Sequence, residues 1–154
     1  MILGQVFNPK TICVNLESEE KEEVFEELVE KVVALKPNLN RQNILNAIAE
    51  RESLMSTGIK EGIAVPHGKL DEIDEVMGVV GISKSGIDYE ALDNKPVHLV
   101  FLLLSSKDNA EFHLRVLRHL STVIEANGFV AELMEQTDAD GVYQTICKYD
   151  RELN

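Results

Sequence analysis

The sequence of 154 residues is poor in cysteine and in basic side chains. Its two cysteines, Cys13 and Cys147, lie far apart and form no CxxC pair, so we expect two buried, reduced thiols. Fifteen Lys and Arg residues stand against 27 acidic residues, which gives a formal net charge of −12. Because binding to a phosphate backbone needs clustered Lys and Arg, this balance argues against nucleic acid as a partner. It leaves a basic protein partner open.

Long hydrophobic runs are also absent. The longest run, VHLVFLLL at residues 97–104, is much shorter than the roughly 20 residues of a membrane span and predicts a buried strand. The first ten residues, MILGQVFNPK, lack the basic start and the long apolar core of a signal peptide. We therefore expect a cytoplasmic protein with no membrane insertion.

The composition that remains is ordinary for a globular protein, with 44% hydrophobic and 27% charged residues. Alternation and β-branched side chains predict strands over residues 11–16, 63–65, 76–83 and 97–104. Helical spacing of apolar side chains predicts helices over residues 19–35, 41–54, 108–126, 129–135 and 138–148. Strands that alternate with helices predict an α/β fold with a mixed β-sheet. Since no repeat, linker or low-complexity segment is visible, a single domain is expected.

Start and stop signals place the ends of these helices. Ser18 precedes the first helix, Pro37 ends it, and Asn40 is expected to cap the second. Asp108 followed by Glu111 has the pattern of a capping box for the long helix near the C-terminus. Asn127–Gly128 is expected to end that helix.

Several common site motifs are incomplete or missing. Gly68-Lys69-Leu70 lacks the hydroxyl residue that a Walker A loop places after its lysine. The sequence has no GxGxxG after a strand, no HExxH or cysteine cluster for zinc, and no GxSxG elbow for a serine nucleophile. Histidine as a nucleophile remains open.

The stretch STGIKEGIAVPHGKL at residues 56–70 holds the most informative histidine, His67. Glycines and hydroxyl residues in such a loop can form an anion-binding concavity of backbone N–H groups. The candidate residues for this phosphate cradle are Ser56, Thr57, Gly58, Gly62 and Gly68. Pro66 fixes the approach to His67. The loop could therefore bind an anion or carry one covalently on the imidazole, although glycine-rich loops without any chemistry are also common.

The other three histidines have simpler explanations available. His98 opens the predicted strand at residue 97, where a hydrogen-bonded histidine at a sheet edge is expected. His119 lies beside Arg118 and is expected on a solvated helix face. His113 shares a helical stripe with Leu117, which places it on an inward face. It is either a core histidine bonded to backbone or an imidazole positioned near a site.

Four segments together carry a family resemblance: Arg51-Glu52, STGIKEGIAVPHGKL, DNKPVHLVFLLL and FHLRVL. They resemble the enzyme IIA domain of the fructose–mannitol class of the bacterial phosphotransferase system, and within it the nitrogen-regulatory IIA branch. The resemblance covers about residues 10–150. It implies a single IIA-type domain over residues 1–154, with a mixed sheet flanked by helices on both sides and a site at one edge.

The resemblance also implies roles for individual residues. His67 matches the phosphorylated histidine, which accepts the phosphoryl group at Nε2, while Arg51 and His113 match its two active-site companions. Taken without the family, Arg51 could simply face water at a helix end. The implied donor is the phosphocarrier protein HPr or its nitrogen-branch counterpart. The implied acceptors are a IIB domain or a regulatory protein. No cofactor or metal is predicted.

Four residues depart from the family pattern without removing a chemical group: Lys60, Ser105, Ser106 and Phe112. We predict a phosphotransferase that acts as a phosphohistidine carrier in a nitrogen or metabolic regulatory branch. The alternatives are a sugar-transport IIA that passes phosphate to a fructose- or mannitol-type IIB, and an inactive module that binds partners without phosphorylation.

Overall fold

A computed structural model describes residues 2–58 and 60–153. Over these residues the strands are β1 (Ile12–Cys13), β2 (Ile63–Ala64), β3 (His67–Lys69), β4 (Met77–Ile87) and β5 (Val97–Ser105). The α-helices are α1 (Leu3–Val6), α2 (Lys21–Leu35), α3 (Arg41–Glu52), α4 (Ala110–Glu125), α5 (Phe129–Met134) and α6 (Ala139–Glu152). Short 3₁₀ turns cover Pro9–Thr11 and Lys107–Asn109. None of the helices described is long and apolar enough to cross a membrane.

The five described strands form one mixed sheet in the order β1-β4-β5, with β2 and β3 both paired to the outer edge of β5. β4 runs antiparallel to β5, and the other pairs are parallel. Ile63 lies opposite Leu99 and His67 opposite Leu103, so β2 and β3 are two parts of one edge. The edge is interrupted at Val65 and Pro66, since proline has no N–H to donate to a ladder.

Helices cover both faces of the sheet. Side chains of β5 alternate between two cores. Val100, Leu102 and Leu104 pack with α2 and α3, whereas Leu99, Phe101 and Leu103 pack with the α1, α4, α5 and α6 side. A strand buried on both faces reads as a continuous apolar run, which explains VHLVFLLL. The predicted α/β fold with a helix-flanked mixed sheet is confirmed.

The predicted elements are present, but several boundaries were wrong. The first strand shrinks to Ile12–Cys13, while β4 continues past a bulge to Ile87, which is fully buried opposite Val97. The last helix runs on to Glu152, and the short helix α1 was not predicted. His67 begins a strand of its own instead of following one. Both thiols are free; Cys147 is buried and Cys13 partly so.

Of the predicted helix caps, one is confirmed and one was wrong. Asn40 accepts a hydrogen bond from the Asn43 amide at 3.0 Å, which confirms it as the cap of α3. The capping box predicted at Asp108 and Glu111 was wrong. Instead, Ser106 and Asn109 cap a 3₁₀ turn that delays the start of α4 to Ala110. The cap of α2 is Glu20, and the Ser18 hydroxyl donates instead to a carboxylate further along that helix.

Candidate active site

His67 lies at the edge of the sheet, where α3 packs directly against β3. A Cβ added at Gly68 would come within 3.0 Å of the Ala47 carbonyl carbon, so only glycine allows this close approach. The packing brings Arg51, in the last turn of α3, over the edge strand. The Arg51 Nε donates to His67 Nε2 at 3.1 Å, and its Nη1 donates to the Met55 carbonyl at 3.1 Å.

The hydrogen bonds of His67 define its tautomer. Nδ1 lies 3.0 Å from the Val65 carbonyl oxygen. A carbonyl only accepts, so Nδ1 holds the proton and Nε2 keeps its lone pair. The Arg51 donor at Nε2 requires the same arrangement, since a guanidinium has no acceptor. Nε2 is therefore the nucleophilic nitrogen of this ring.

His113 reaches the same place from the other side, at the start of α4. Its ring centroid lies 5.6 Å from that of His67, with the two planes tilted by 49°. The residue is 7% exposed. Its Nδ1 is buried and has no hydrogen-bond partner among the residues described. A buried polar atom without a partner is costly. The His113 ring therefore has an unused hydrogen-bonding capacity that a bound polar group could satisfy.

Both imidazoles are held neutral. Burial, together with the positive charges of Arg51 and Lys69, keeps the pKa of His67 below its usual 6.5, against the opposing hydrogen bond to Val65. Burial, with added contributions from His67 and Lys69, lowers the pKa of His113 to about 4. At neutral pH the site thus presents one neutral nucleophile and one neutral neighbour. An arriving anion would stabilise the protonated form of either ring.

The predicted phosphate cradle is only partly assembled around His67. Ser56 and Thr57 line a cleft with His67, but the Thr57 hydroxyl and amide are bonded to the Glu52 carboxylate. The Gly58 amide donates to the Ser56 hydroxyl. Gly62 turns the chain at the opposite end of β5, where its carbonyl accepts from two amides of that strand. The amides of Thr57 and Gly58 are thus bonded inside the protein, and the phosphate cradle remains a prediction.

Sequence reasoning missed Lys69 as a member of the site. It lies two residues after His67 on β3, so both side chains leave the same side of the strand. Lys69 and Lys107 line the cleft that holds His67 and His113, along with the carboxylates of Glu50 and Asp71. Residues 67–69 were not predicted as a strand. Had they been, the two-residue period of a strand would have placed Lys69 on the same side as His67.

Exposed apolar side chains flank the same cleft. Leu54 is 78% exposed and Met55 is 52% exposed, in the turn that follows α3. Leu114, the residue after His113 in α4, is 46% exposed. Leu117 lines the cleft between them. Large apolar side chains exposed together around a polar centre are typical of a protein-docking surface.

The remaining histidines lie outside the cleft. His98 Nδ1 is bonded to the Ser83 carbonyl at 2.9 Å, as expected for a satisfied histidine on a strand. The prediction for His119 was wrong: it is not solvated, because α6 covers it. Its Nε2 lies 2.9 Å from the fully buried carboxylate of Asp150, which also accepts from the amides of Ile2 and Gly4.

Comparison with known families assigns the chain to one of them. Residues 5–149 match the family described as the phosphoenolpyruvate-dependent sugar phosphotransferase system, EIIA 2. The chain therefore belongs to this family of IIA domains, whose activity is of the phosphotransferase type. It contains no group of three or more potential metal ligands within residues 2–58 and 60–153.

Individual relatives fall into two groups. The chain is 36% identical over 151 residues to the fructose-specific EIIABC component of Bacillus subtilis, covering 98% of this chain but only 24% of that protein. It is 31% identical over 144 residues to a nitrogen regulatory protein of Pseudomonas aeruginosa, covering 94% of each. The structure of the IIA-Ntr protein from Neisseria meningitidis superposes with a TM-score of 0.87 at 26% identity, over 95% of this chain and 99% of that one.

Proposed function

We propose that the protein is a phosphocarrier whose His67 accepts a phosphoryl group at Nε2 from a phosphohistidine of HPr or its nitrogen-branch counterpart. The observation that carries the proposal is the fixed tautomer. The Val65 carbonyl holds the proton on Nδ1, and the lone pair of Nε2 faces the cleft edge beside Arg51. Family membership supports phosphoryl transfer in general, and the assembled trio of Arg51, His67 and His113 supports this histidine.

The transfer balances without a proton leaving the site. The donor ring carries the phosphoryl group on one nitrogen and a proton on the other. As the Nε2 lone pair forms the new N–P bond, the old N–P bond breaks and the donor departs as a neutral imidazole. His67 then becomes a phosphoimidazolium, whose Nδ1–H still donates to the Val65 carbonyl. Such a transition state is loose, with the charge spread over the equatorial oxygens.

Arg51 and His113 have matching tasks in this scheme. The Arg51 guanidinium blocks Nε2 in the resting site, and the incoming group displaces it onto the phosphoryl oxygens, which it can bind with two N–H groups. His113 donates to another phosphoryl oxygen once the anion has raised its pKa. In such sites, each fixed donor contributes on the order of 10²–10³ to the rate.

The docking surface fits a partner that carries an anion. Arg51, Lys69 and Lys107 form a basic patch in a protein of net charge −12. Exposed apolar side chains flank this patch. The apolar flanks bind the body of the partner, and the lysines attract its phosphoryl group. A IIA enzyme for mannitol from Escherichia coli, which shares this fold at a TM-score of 0.76 and 22% identity, was solved in complex with phosphorylated IIB. A IIB domain is the second partner that we propose.

Regulation and sugar transport use the same chemistry, and we place regulation first. The structure of the IIA-Ntr protein from Neisseria meningitidis superposes with a TM-score of 0.87, compared with 0.74 for the mannitol IIA of Escherichia coli. An inactive module is the least supported alternative, because the three site residues come together. Neighbouring genes for IIB and IIC favour transport, and a sigma-factor gene favours regulation.

The experiment is a phosphorylation assay read by intact mass. The purified protein is mixed with phosphoenolpyruvate, enzyme I and HPr, beside His67→Ala and the control His98→Ala. We expect a gain of about 80 Da, one phosphoryl group, in the wild type and the control only. Phosphorylation of His67→Ala would refute the assignment to His67. No gain in the wild type with HPr or its counterpart would refute carrier function. Loss of the added mass to a fructose-type IIB would identify the transport role.

A further inference from the structure

A buried carboxylate lies directly behind the site, and the transfer scheme does not use it. Glu52 ends α3, one residue after Arg51, and its side chain is 6% exposed. One oxygen accepts from the Thr57 amide at 2.8 Å and from Lys21 Nζ at 3.1 Å. The other accepts from the Thr57 hydroxyl at 2.6 Å and lies 3.3 Å from the Tyr89 hydroxyl. The Glu52 carboxylate thus contacts Thr57, at the end of the turn that follows α3, and two side chains beside it, Lys21 and Tyr89.

The partners of Glu52 are themselves enclosed. The Lys21 side chain is 12% exposed, and its Nζ lies 4.9 Å above the centroid of the Tyr89 ring. Tyr89 is fully buried, and its hydroxyl lies 2.7 Å from that of Thr57. Burial and the nearby Glu52 carboxylate raise the pKa of Tyr89, so its hydroxyl remains a donor. A buried ion pair of this kind contributes little net stability compared with apolar side chains. Its contribution is therefore expected in the geometry that it fixes.

A continuous chain of hydrogen bonds leads from Glu52 to the reactive ring. Glu52 holds Thr57 by its amide and its hydroxyl. The Thr57 carbonyl accepts from the Val65 amide at 3.1 Å. The Val65 carbonyl then accepts from Nδ1 of His67 at 3.0 Å. The Val65 carbonyl, which sets the His67 tautomer, therefore belongs to a residue only one hydrogen bond away from Thr57, the residue that Glu52 clamps.

A second branch reaches the arginine. Residues 53–56 connect Glu52 to Thr57, and this turn carries the Met55 carbonyl, which accepts from Arg51 Nη1 at 3.1 Å. Glu52 fixes both ends of the turn, because its own backbone begins the turn and its carboxylate binds the far end. The carbonyls of Met55 and Val65 orient Arg51 and His67. Both carbonyls thus belong to backbone that the Glu52 carboxylate holds in place.

We propose that Glu52 is a positioning residue: its buried carboxylate, supported by Lys21 and Tyr89, clamps Thr57 so that the Val65 and Met55 carbonyls hold His67 in its Nδ1–H tautomer and Arg51 beside Nε2. The effect of Glu52 on the His67 tautomer does not depend on the transfer reaction. The effect on the transfer rate rests on the proposed function of His67.

The first test reads the ring itself. Two-bond ¹H–¹⁵N spectra of His67 are recorded for the wild type, Glu52→Gln and Thr57→Val. In Glu52→Gln an amide NH₂ group faces donors that need an acceptor, and in Thr57→Val the hydroxyl link is gone. We expect the Nδ1–H tautomer alone in the wild type and a mixture of both tautomers in the two variants. Glu22→Gln is the control, because it removes the same charge from an exposed position of α2. Thr57→Ser keeps the hydroxyl and is expected to restore the wild-type spectrum.

The second test follows phosphoryl transfer from HPr over time. A misaimed nucleophile should slow acceptance by roughly 10- to 100-fold, with the same final mass. If both variants keep one tautomer and the wild-type rate and lose only thermal stability, Glu52 is merely structural and the proposal is refuted. If the tautomer shifts but even the wild type accepts no phosphate, the positioning role stands and the proposed function fails. Should Glu52→Gln not fold, Thr57→Val carries the same comparison.

Discussion

Protonation of His113 should control how the stability of this protein depends on pH. The perturbation is His113→Gln, which keeps a polar side chain of similar size but cannot take up a proton near neutral pH. In the folded wild type, burial and the neighbouring His67 and Lys69 lower the pKa of His113 to about 4, from a usual value of 6.5. The unfolded chain therefore binds a proton below pH 6.5 that the folded protein refuses until about pH 4.

The sign and the size follow from that difference. Stability rises with pH wherever the unfolded state binds more protons, so the contribution is fully present above pH 6.5 and is lost as the pH falls. One pH unit between the two pKa values corresponds to about 1.4 kcal/mol, so the loss is at most about 3.5 kcal/mol and is complete only below pH 4. The pKa of His67 is also lowered, which adds a loss of the same sign in the wild type and in the variant.

The assay is urea unfolding of the wild type and of His113→Gln at several pH values between 7.5 and 4, a span chosen to bracket this window. Carboxylates titrate in both proteins, so the difference between the two curves isolates His113. We expect the wild type to lose more free energy of unfolding than the variant, mostly below pH 6. Parallel curves would show that His113 titrates normally, and the argument from its burial would be wrong.

A second measurement tests how phosphorylation of His67 changes the pKa of His113. A phosphoryl group on His67 brings about −1.5 to −2 charges to the neighbouring ring, whose centroid is only 5.6 Å from that of His67. The pKa of His113 should therefore rise in the phosphoprotein, and NMR titration of its ring protons would record it. An unchanged pKa would contradict the direct contact between His113 and the phosphoryl group.

Three further outcomes are expected. Arg51→Lys keeps the charge but loses the Nε donor and the planar fork, so acceptance from HPr should slow by about 10²-fold in the mass assay. Gly68→Ala forces a Cβ to within 3.0 Å of the Ala47 backbone and should cost about 1–3 kcal/mol in urea unfolding. Asp150→Asn weakens the acceptor for the amides at the start of α1. It should speed hydrogen exchange there and leave transfer from HPr unchanged; slower transfer would mean that the N-terminal helix influences the site.

The parts of the fold that were predictable are those with a local cause. The continuous apolar run VHLVFLLL was enough to predict that β5 is buried on both faces. The cap at Asn40 depends only on the amide of Asn43, three residues away. The length of β1 was not predictable, because it ends where pairing with β4 ends. The environment of His119 depends on Asp150 in another helix. No pattern within α4 could have distinguished a covered histidine from a solvated one.

The site shows the same division. The resemblance supplied Arg51, His67 and His113, and the structure brings them together. The cradle was predicted from residue types alone, since Thr and Gly are common in anion-binding loops. In the fold, the Thr57 groups are bonded to Glu52 across five positions of chain. The missing information was the contact between this loop and the Glu52 carboxylate: in sequence Glu52 appeared only beside Arg51 in the resemblance, and no role was predicted for it.

Transport and regulation need not differ at the histidine at all. Before phosphorylation the cleft has more cations than anions, because Arg51, Lys69 and Lys107 outnumber Glu50 and Asp71. One phosphoryl group of about −1.5 to −2 charges is enough to reverse that sign. Under the proposed function, the unphosphorylated cleft would therefore attract a partner that carries a phosphoryl group, and the phosphorylated cleft would repel such a partner. A IIB domain would take the phosphoryl group itself, whereas a regulatory target would respond to the changed charge near the exposed Leu54. The two roles would then differ in whether the partner presents a nucleophile in line with the new N–P bond.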